Sequence, residues 1–159
     1  MKIPFIILVF TISSYLMAEA PFQIGLVNPV QYQDESESIK GVKLNIVHSA
    51  NSSVTGLDLG FASEVRSDFT GVQFNFLNLN DGNTKGAQIG WGIFGFSSAE
   101  NMTGLQWNTI NNTSGQMTGL QLGLLNMIHG GGKNFQFGLI NYNKNSSIFF
   151  ILPFINFNL

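Results

Sequence analysis

The stretch Gly119-Leu120-Gln121-Leu122-Gly123-Leu124-Leu125-Asn126 decides how this chain is read, because variants of it return along most of the sequence. Copies begin at Pro21, Gly41, Gly56, Gly71, Gly86, Gly104, Gly119 and Asn134, at steps of 15 residues except for 20 at the start and 18 before Gly104. A short fixed period means one supersecondary unit copied and stacked.

With the leading residue numbered zero, positions 1, 3 and 5 hold Val42, Leu44, Ile46, then Leu57, Leu59, Phe61, and later Leu120, Leu122, Leu124. Such alternation is the period of a strand. Position 2 is an amide or a charge (Lys43, Asp58, Gln73, Gln88, Gln106, Gln121, Gln136), and position 4 is Asn45, Gly60, Asn75, Gly90, Asn108, Gly123 and Gly138. Position 7 holds Asn28, Asn78, Asn111, Asn126 and Asn141, with His48, Ser63 and Ile93 as departures. A polar stretch follows each copy and reads as a turn. An apolar residue then returns two places before the next glycine, as Val54, Phe69, Met102 and Met117. On this reading the bulky positions 1, 3 and 5 face the core. The chain must then bend near the glycine for the returning residue to point inward as well, and a corner with φ > 0 suits glycine.

Two all-β packings compete. In a parallel β-solenoid each 15-residue coil stacks on the last at about 4.8 Å, so equivalent side chains form columns, and stacked Gln or Asn make amide ladders. Lys43 and Asp58, the charges in the Gln column, fall on adjacent coils with opposite sign. In the rival, a small antiparallel outer-membrane β-barrel or meander, the bulky face meets lipid and Gln lines the lumen. Positions 1 to 5 span roughly 13 Å, against an apolar band of about 25 Å. The solenoid is therefore the expected fold. The apolar end, 148–159, with Phe149, Phe150, Phe154 and Phe157, reads as a terminal strand or cap.

Lys2, the apolar run Ile3 to Leu16 and Ala18-Glu19-Ala20 have the form of a secretory signal peptide, so the expected organisation is 1–20 signal and 21–159 a single β-repeat domain. The expected address is the outer membrane, cell surface or periplasm of a Gram-negative bacterium. There is no cysteine, so disulfide and thiol chemistry are excluded. A net charge of −2 with only 10% charged residues argues against nucleic acid as partner.

The chain resembles a family of exported bacterial proteins built from GLQLGLLN-type surface repeats. Gly56-Leu57-Asp58-Leu59-Gly60, Gly119 to Asn126, Phe135-Gln136-Phe137-Gly138-Leu139-Ile140-Asn141, the signal peptide and the apolar end Leu152 to Phe157 carry the resemblance, which extends over essentially the whole mature chain. Such families are described by location rather than activity, and the copy from Gly86 to Phe96 departs from the pattern at Trp91 and Ile93. The resemblance implies no catalytic or binding residue.

Candidate chemistry is thin. His129-Gly130-Gly131-Gly132 echoes an esterase oxyanion loop, but no G-x-S-x-G nucleophile elbow accompanies it. Gly132-Lys133 lacks the rest of a phosphate loop, two histidines (His48, His129) do not make a metal site, and Asp81-Gly82-Asn83 lacks further calcium ligands. Trp91 and Trp107 fall at positions 5 and 3, so core packing is expected for them. Phe94 and Phe96, in the irregular copy, are the candidate interaction patch, an exposed aromatic pair able to stack on glycans. The expected function is a non-enzymatic, exported surface or envelope repeat protein with a structural or interaction role, the alternative being a small integral outer-membrane β-barrel protein. No cofactor is expected. The expected partner is an envelope or extracellular component; outer-membrane association is compatible with the sequence, and the pairing edges of an uncapped stack allow a homo-oligomer.

Overall fold

The computed structural model describes residues 19–159. The signal segment expected over 1–20 lies outside the described residues except for Glu19 and Ala20.

Thirteen strands follow in chain order: β1 (Ala20–Val27), β2 (Val30–Gln31), β3 (Ile39–Asn51), β4 (Val54–Val65), β5 (Phe69–Asn80), β6 (Asn83–Ile89), β7 (Phe96–Ala99), β8 (Asn101–Trp107), β9 (Ile110–Thr113), β10 (Met117–Leu122), β11 (Leu125–Ile128), β12 (Asn134–Asn143) and β13 (Ile151–Asn158). They wind into a parallel β-solenoid of about eight turns with corresponding strands about 15 residues apart. One wall runs through β1, the first halves of β3, β4 and β5, then β6, β8, β10 and β12. The second wall runs through the later halves of β3 to β5, then β7, β9, β11 and the end of β12. Pairing is parallel within both walls, so the antiparallel barrel or meander is not the fold. Among the described residues antiparallel pairing occurs only at the two ends, β2 on β1 and β13 on β12. β13 covers the last edge of the stack from Asn134 to Tyr142, whereas β2 pairs with the end of β1 at two residues.

The register keeps the repeat in columns, with Gly41, Gly56, Gly71, Gly86, Gly104 and Gly119 paired in succession. These glycines do not form the expected corner. β3, β4 and β5 run straight through theirs, with positive φ. At Gly71, where φ is 139°, a β-carbon would stand 1.9 Å from the Gly56 carbonyl oxygen. Glycine here lets each coil approach the one before it.

The corner lies further on. Position 4 is inward and position 7 is inward, with two consecutive outward residues between them, such as Leu124-Leu125 or Leu139-Ile140. Two successive residues facing the same way break the strand period and turn the chain onto the second wall.

The expectation that positions 1, 3 and 5 fill the core is overturned. Residues −2, 2, 4, 7 and 9 fill it instead. The side chains of Gln23, Lys43, Asp58, Gln73, Gln88, Gln106, Gln121 and Gln136, all at position 2, are completely buried, while Val42, Leu57, Val72 and Phe135 at position 1 are exposed. The bulky set has the parity opposite to the returning residues −2, and the strand is continuous between them, so only one of the two sets can face inward. The returning residues win: Ile39, Val54, Phe69, Met102 and Met117 are buried and form two small apolar clusters with Val65 and Ile128. Thr84 and Asn80, hydrogen-bonded at 2.7 Å, separate the clusters.

The rest of the interior is amide. Gln136, Gln121, Gln106 and Gln88 each donate from Nε2 to the Oε1 of the glutamine one coil earlier, at 2.7 to 3.0 Å. Asn111 and Asn126 donate the other way, each to the next asparagine of its column at 2.8 Å. The two ladders therefore carry opposed dipoles. Each ends on an acceptor without a protein partner, Gln136 Oε1 and Asn111 Oδ1. The Asn–Gly alternation at position 4 has a steric cause: a β-carbon on Gly90 would overlap the Asn108 side chain at 1.9 to 2.1 Å.

Register also explains the departures from the Asn column. A bulge between Asn45 and His48 places Ser49, not His48, against Ser63. Between Gly90 and Phe96 the irregular coil holds four residues more than its neighbours, so Ser97, not Ile93, stands against Asn78. Asn28 lies outside the ladder and donates to Glu35 at 3.0 Å.

Candidate interaction surface

With amides taking the inside, the apolar residues of positions 1, 3, 5 and 6 form the outside. Their columns cover the first wall, turn the corner and continue onto the start of the second wall. Along the corner, Leu26 is 51% exposed, Ile46 58%, Leu124 54% and Leu139 57%, and Phe154 of the terminal strand, at 71%, stands beside this column against Gly138. Thr109 interrupts the column. Phe61 and Phe76 stack at 5.0 Å, and Trp91 packs across both at 5.8 and 5.7 Å while donating from Nε1 to the Gly60 carbonyl at 3.0 Å. Solitary exposed apolar residues are ordinary, but continuous columns of them mark an interaction face.

Trp91 and Trp107, expected in the core, are exposed. Phe94 is 78% exposed in the inserted loop beside Ile93, whereas Phe96 is half-buried in β7 between Leu77 and Ile110 in register. The predicted pair is thus split, with Phe94 on the protruding loop and Phe96 in the regular column. The corner residues themselves escaped the sequence reading. Their signal was the doublet Leu124-Leu125 or Leu139-Ile140, which breaks alternation and leaves both side chains outside.

The opposite corner, between position 9 and the next −1, is polar. It holds Asp34, Glu35, Glu37, Asp68, Asp81 and Glu100. Arg66 reaches Glu35 at 2.8 Å and Glu64 at 3.1 Å, and its hydrogen bond holds the Glu35 carboxyl below the usual range. His48 lies 3.4 Å from Glu64, and His129 contacts Asn112 and the ring of Tyr142. Asp81 and Gly82 form the bend that leads into β6 at Asn83. Among the described residues no group of three or more His, Cys, Asp or Glu side chains is placed to hold a metal ion. Gly132 has positive φ in a turn where Asn134 and Asn158 both donate to its carbonyl.

Among the described residues, the only ionisable side chains inside are Lys43 and Asp58. Burial pushes the Lys43 ammonium down to about 8, with Asp58 and Glu64 partly opposing the shift, and its Nζ donates to the carbonyls of Ser49 and Glu64. Both are completely buried. The surface depressions are open, such as the one lined by Gly90, Gly92, Trp107, Asn108, Thr109, Gly123 and Leu124 beneath the inserted loop.

Comparison of the chain with protein-family models, with curated proteins and with solved structures finds no match.

Proposed function

We propose that this is a non-enzymatic, exported surface or envelope repeat protein with an interaction role, and that its working part is the apolar outer surface centred on the corner. The observation that carries this reading is the inversion of the fold. Burying amides leaves columns of Leu, Ile, Phe and Trp outside, although exposing apolar area costs about 25 cal/mol for every Å² that could have been buried. A surface of this kind is accounted for by something that covers it. The form of the first twenty residues and the resemblance to exported GLQLGLLN-type repeat proteins support the envelope as the place.

The test is fractionation of cells making the full-length chain, beside a variant carrying Leu57→Thr, Phe74→Thr, Leu122→Thr and Phe137→Thr on the outward wall. The parent chain is expected in the envelope fraction and released by a urea wash at high pH. The variant is expected to melt like the parent yet appear in the soluble exported fraction. Equal distribution of the two chains would overturn the reading.

A further inference from the structure

Resting on that reading of the outer surface, we propose that its occupant is an anionic lipid surface, on which the corner of the solenoid lies with its apolar side chains among the acyl chains. Three observations favour lipid over a second copy of the chain.

The first is shape. The eight coils and the terminal strand give a corner about 38 Å long, and positions 1 to 5 are about 13 Å wide, so one flat wall offers roughly 500 Å². A stable protein interface needs about 800 Å² from each partner. The apolar area grows larger only by turning the corner to Leu125 and Ile140, and one rigid flat partner cannot cover both sides. A fluid solvent can. Ile93 and Phe94, both 78% exposed, protrude from the same corner.

The second is charge. The outward column bordering the apolar wall, position −1, carries Lys40, Lys85 and Lys133 three coils apart, or about 14 Å, with threonines between. No acidic side chain stands outward at positions −1 to 6 of the repeats among the described residues. Glu19, 3.1 Å from Lys40, is on the removed side of the cleavage expected after Ala20. Glu64 stands on the second wall, and the other outward acids of the repeats lie at the polar corner, beyond the lysine column as seen from the apolar wall. A border of one sign offers nothing to an identical wall, but it suits anionic headgroups.

The third is the aromatic content. Trp107 is exposed in the wall and Trp91 at the corner, each an amphipathic ring of the kind enriched where lipid meets water.

The experiment uses protein purified from cells expressing the full-length chain, floated with vesicles of phosphatidylcholine alone or mixed three to one with phosphatidylglycerol. The parent chain is expected to float with the anionic vesicles. Lys40→Gln, Lys85→Gln and Lys133→Gln together should weaken that binding by up to about a hundredfold. Leu124→Asn, Leu139→Asn and Phe154→Asn together should abolish it while far-UV circular dichroism is unchanged. Brominated acyl chains should quench the tryptophan fluorescence of the parent protein, which needs no variant. Failure to float and absence of quenching would overturn the lipid assignment. If a lipid-free dimer then forms and the corner variant abolishes it, the occupant is a second copy and the proposed function stands. If neither vesicles nor self-association respond to the corner variant, both inferences fall.

Discussion

Gln73 donates through Nε2 to Asp58 Oδ2 at 2.9 Å, and by this contact the glutamine ladder that begins at Gln136 ends on a carboxylate. Every ladder amide above Gln73 points its NH₂ toward Asp58, so the aligned dipoles present their positive ends to the negative charge. Asp58 also accepts from Asn45 at 2.5 Å, Ser63 at 2.5 Å and Asn75 at 3.3 Å. A buried charge is tolerable when its lone pairs are satisfied in this way.

Asp58→Asn should therefore destabilise the fold. The new NH₂ would face at least one donor across each of its two possible orientations, leaving a buried donor unpaired at about 1–3 kcal/mol. Urea denaturation is expected to show a lower midpoint with an unchanged slope. An unchanged midpoint would mean that the charge of Asp58 contributes nothing to the ladder.

Lys43 makes a pH-dependent contribution of the opposite kind. Its ammonium has an ordinary value of 10.5 in the unfolded chain and about 8 when buried. Between these values the unfolded chain holds a proton that the folded chain has released, so stability rises with pH across the window from about 8 to 10.5. The full rise is on the order of 3 kcal/mol, and below pH 8 the cost of burying the cation is borne entirely. Lys43→Gln, which continues the amide column, should be more stable than the parent at pH 7 and lose this rise. Denaturant midpoints at pH 7, 9 and 10.5 check both statements.

Gly71→Ala should fail where Gly131→Ala succeeds. At Gly71 the positive φ and the Gly56 carbonyl 1.9 Å from a β-carbon act together, and a cost above about 3 kcal/mol is expected. At Gly131 the nearest atom is Asn145 Nδ2 at 3.6 Å, so alanine fits. Thermal melts of the two variants decide it; equal melting temperatures would show that the stack can open to admit a methyl group.

The solenoid was legible because its period, its amide columns and its opposite charges at Lys43 and Asp58 are properties of spacing. The orientation of the wall was not. Alternation shows that Leu120 and Gln121 face opposite ways, and the usual preference for apolar interiors assigns the leucine inward. What reverses this is the parity of Met117, three residues before Leu120 on a continuous strand, together with the capacity of stacked glutamines to satisfy one another. Phe94 was recognisable as exposed because it lies in an insertion, but Phe96 was not separable from it until register showed which residues are extra. The corner at Leu124-Leu125 could have been read from its doublet.

The inserted loop gives a last prediction. Deleting Gly92, Ile93, Phe94 and Gly95 leaves Trp91 as the one residue between Gly90 and Phe96, the spacing of Asn75, Phe76 and Leu77 in the coil before. Register on both sides is set by Ile89 against Phe74 and Phe96 against Leu77, neither of which the deletion touches. Loop-closure entropy changes by only about 1 kcal/mol when five connecting residues become one, in favour of the shorter chain. The variant should therefore melt within a few degrees of the parent. If the protruding Ile93 and Phe94 anchor the chain, envelope retention should fall while the fold persists. A large loss of stability would instead show that the loop packs as part of the wall, through Gly95 against Asn108.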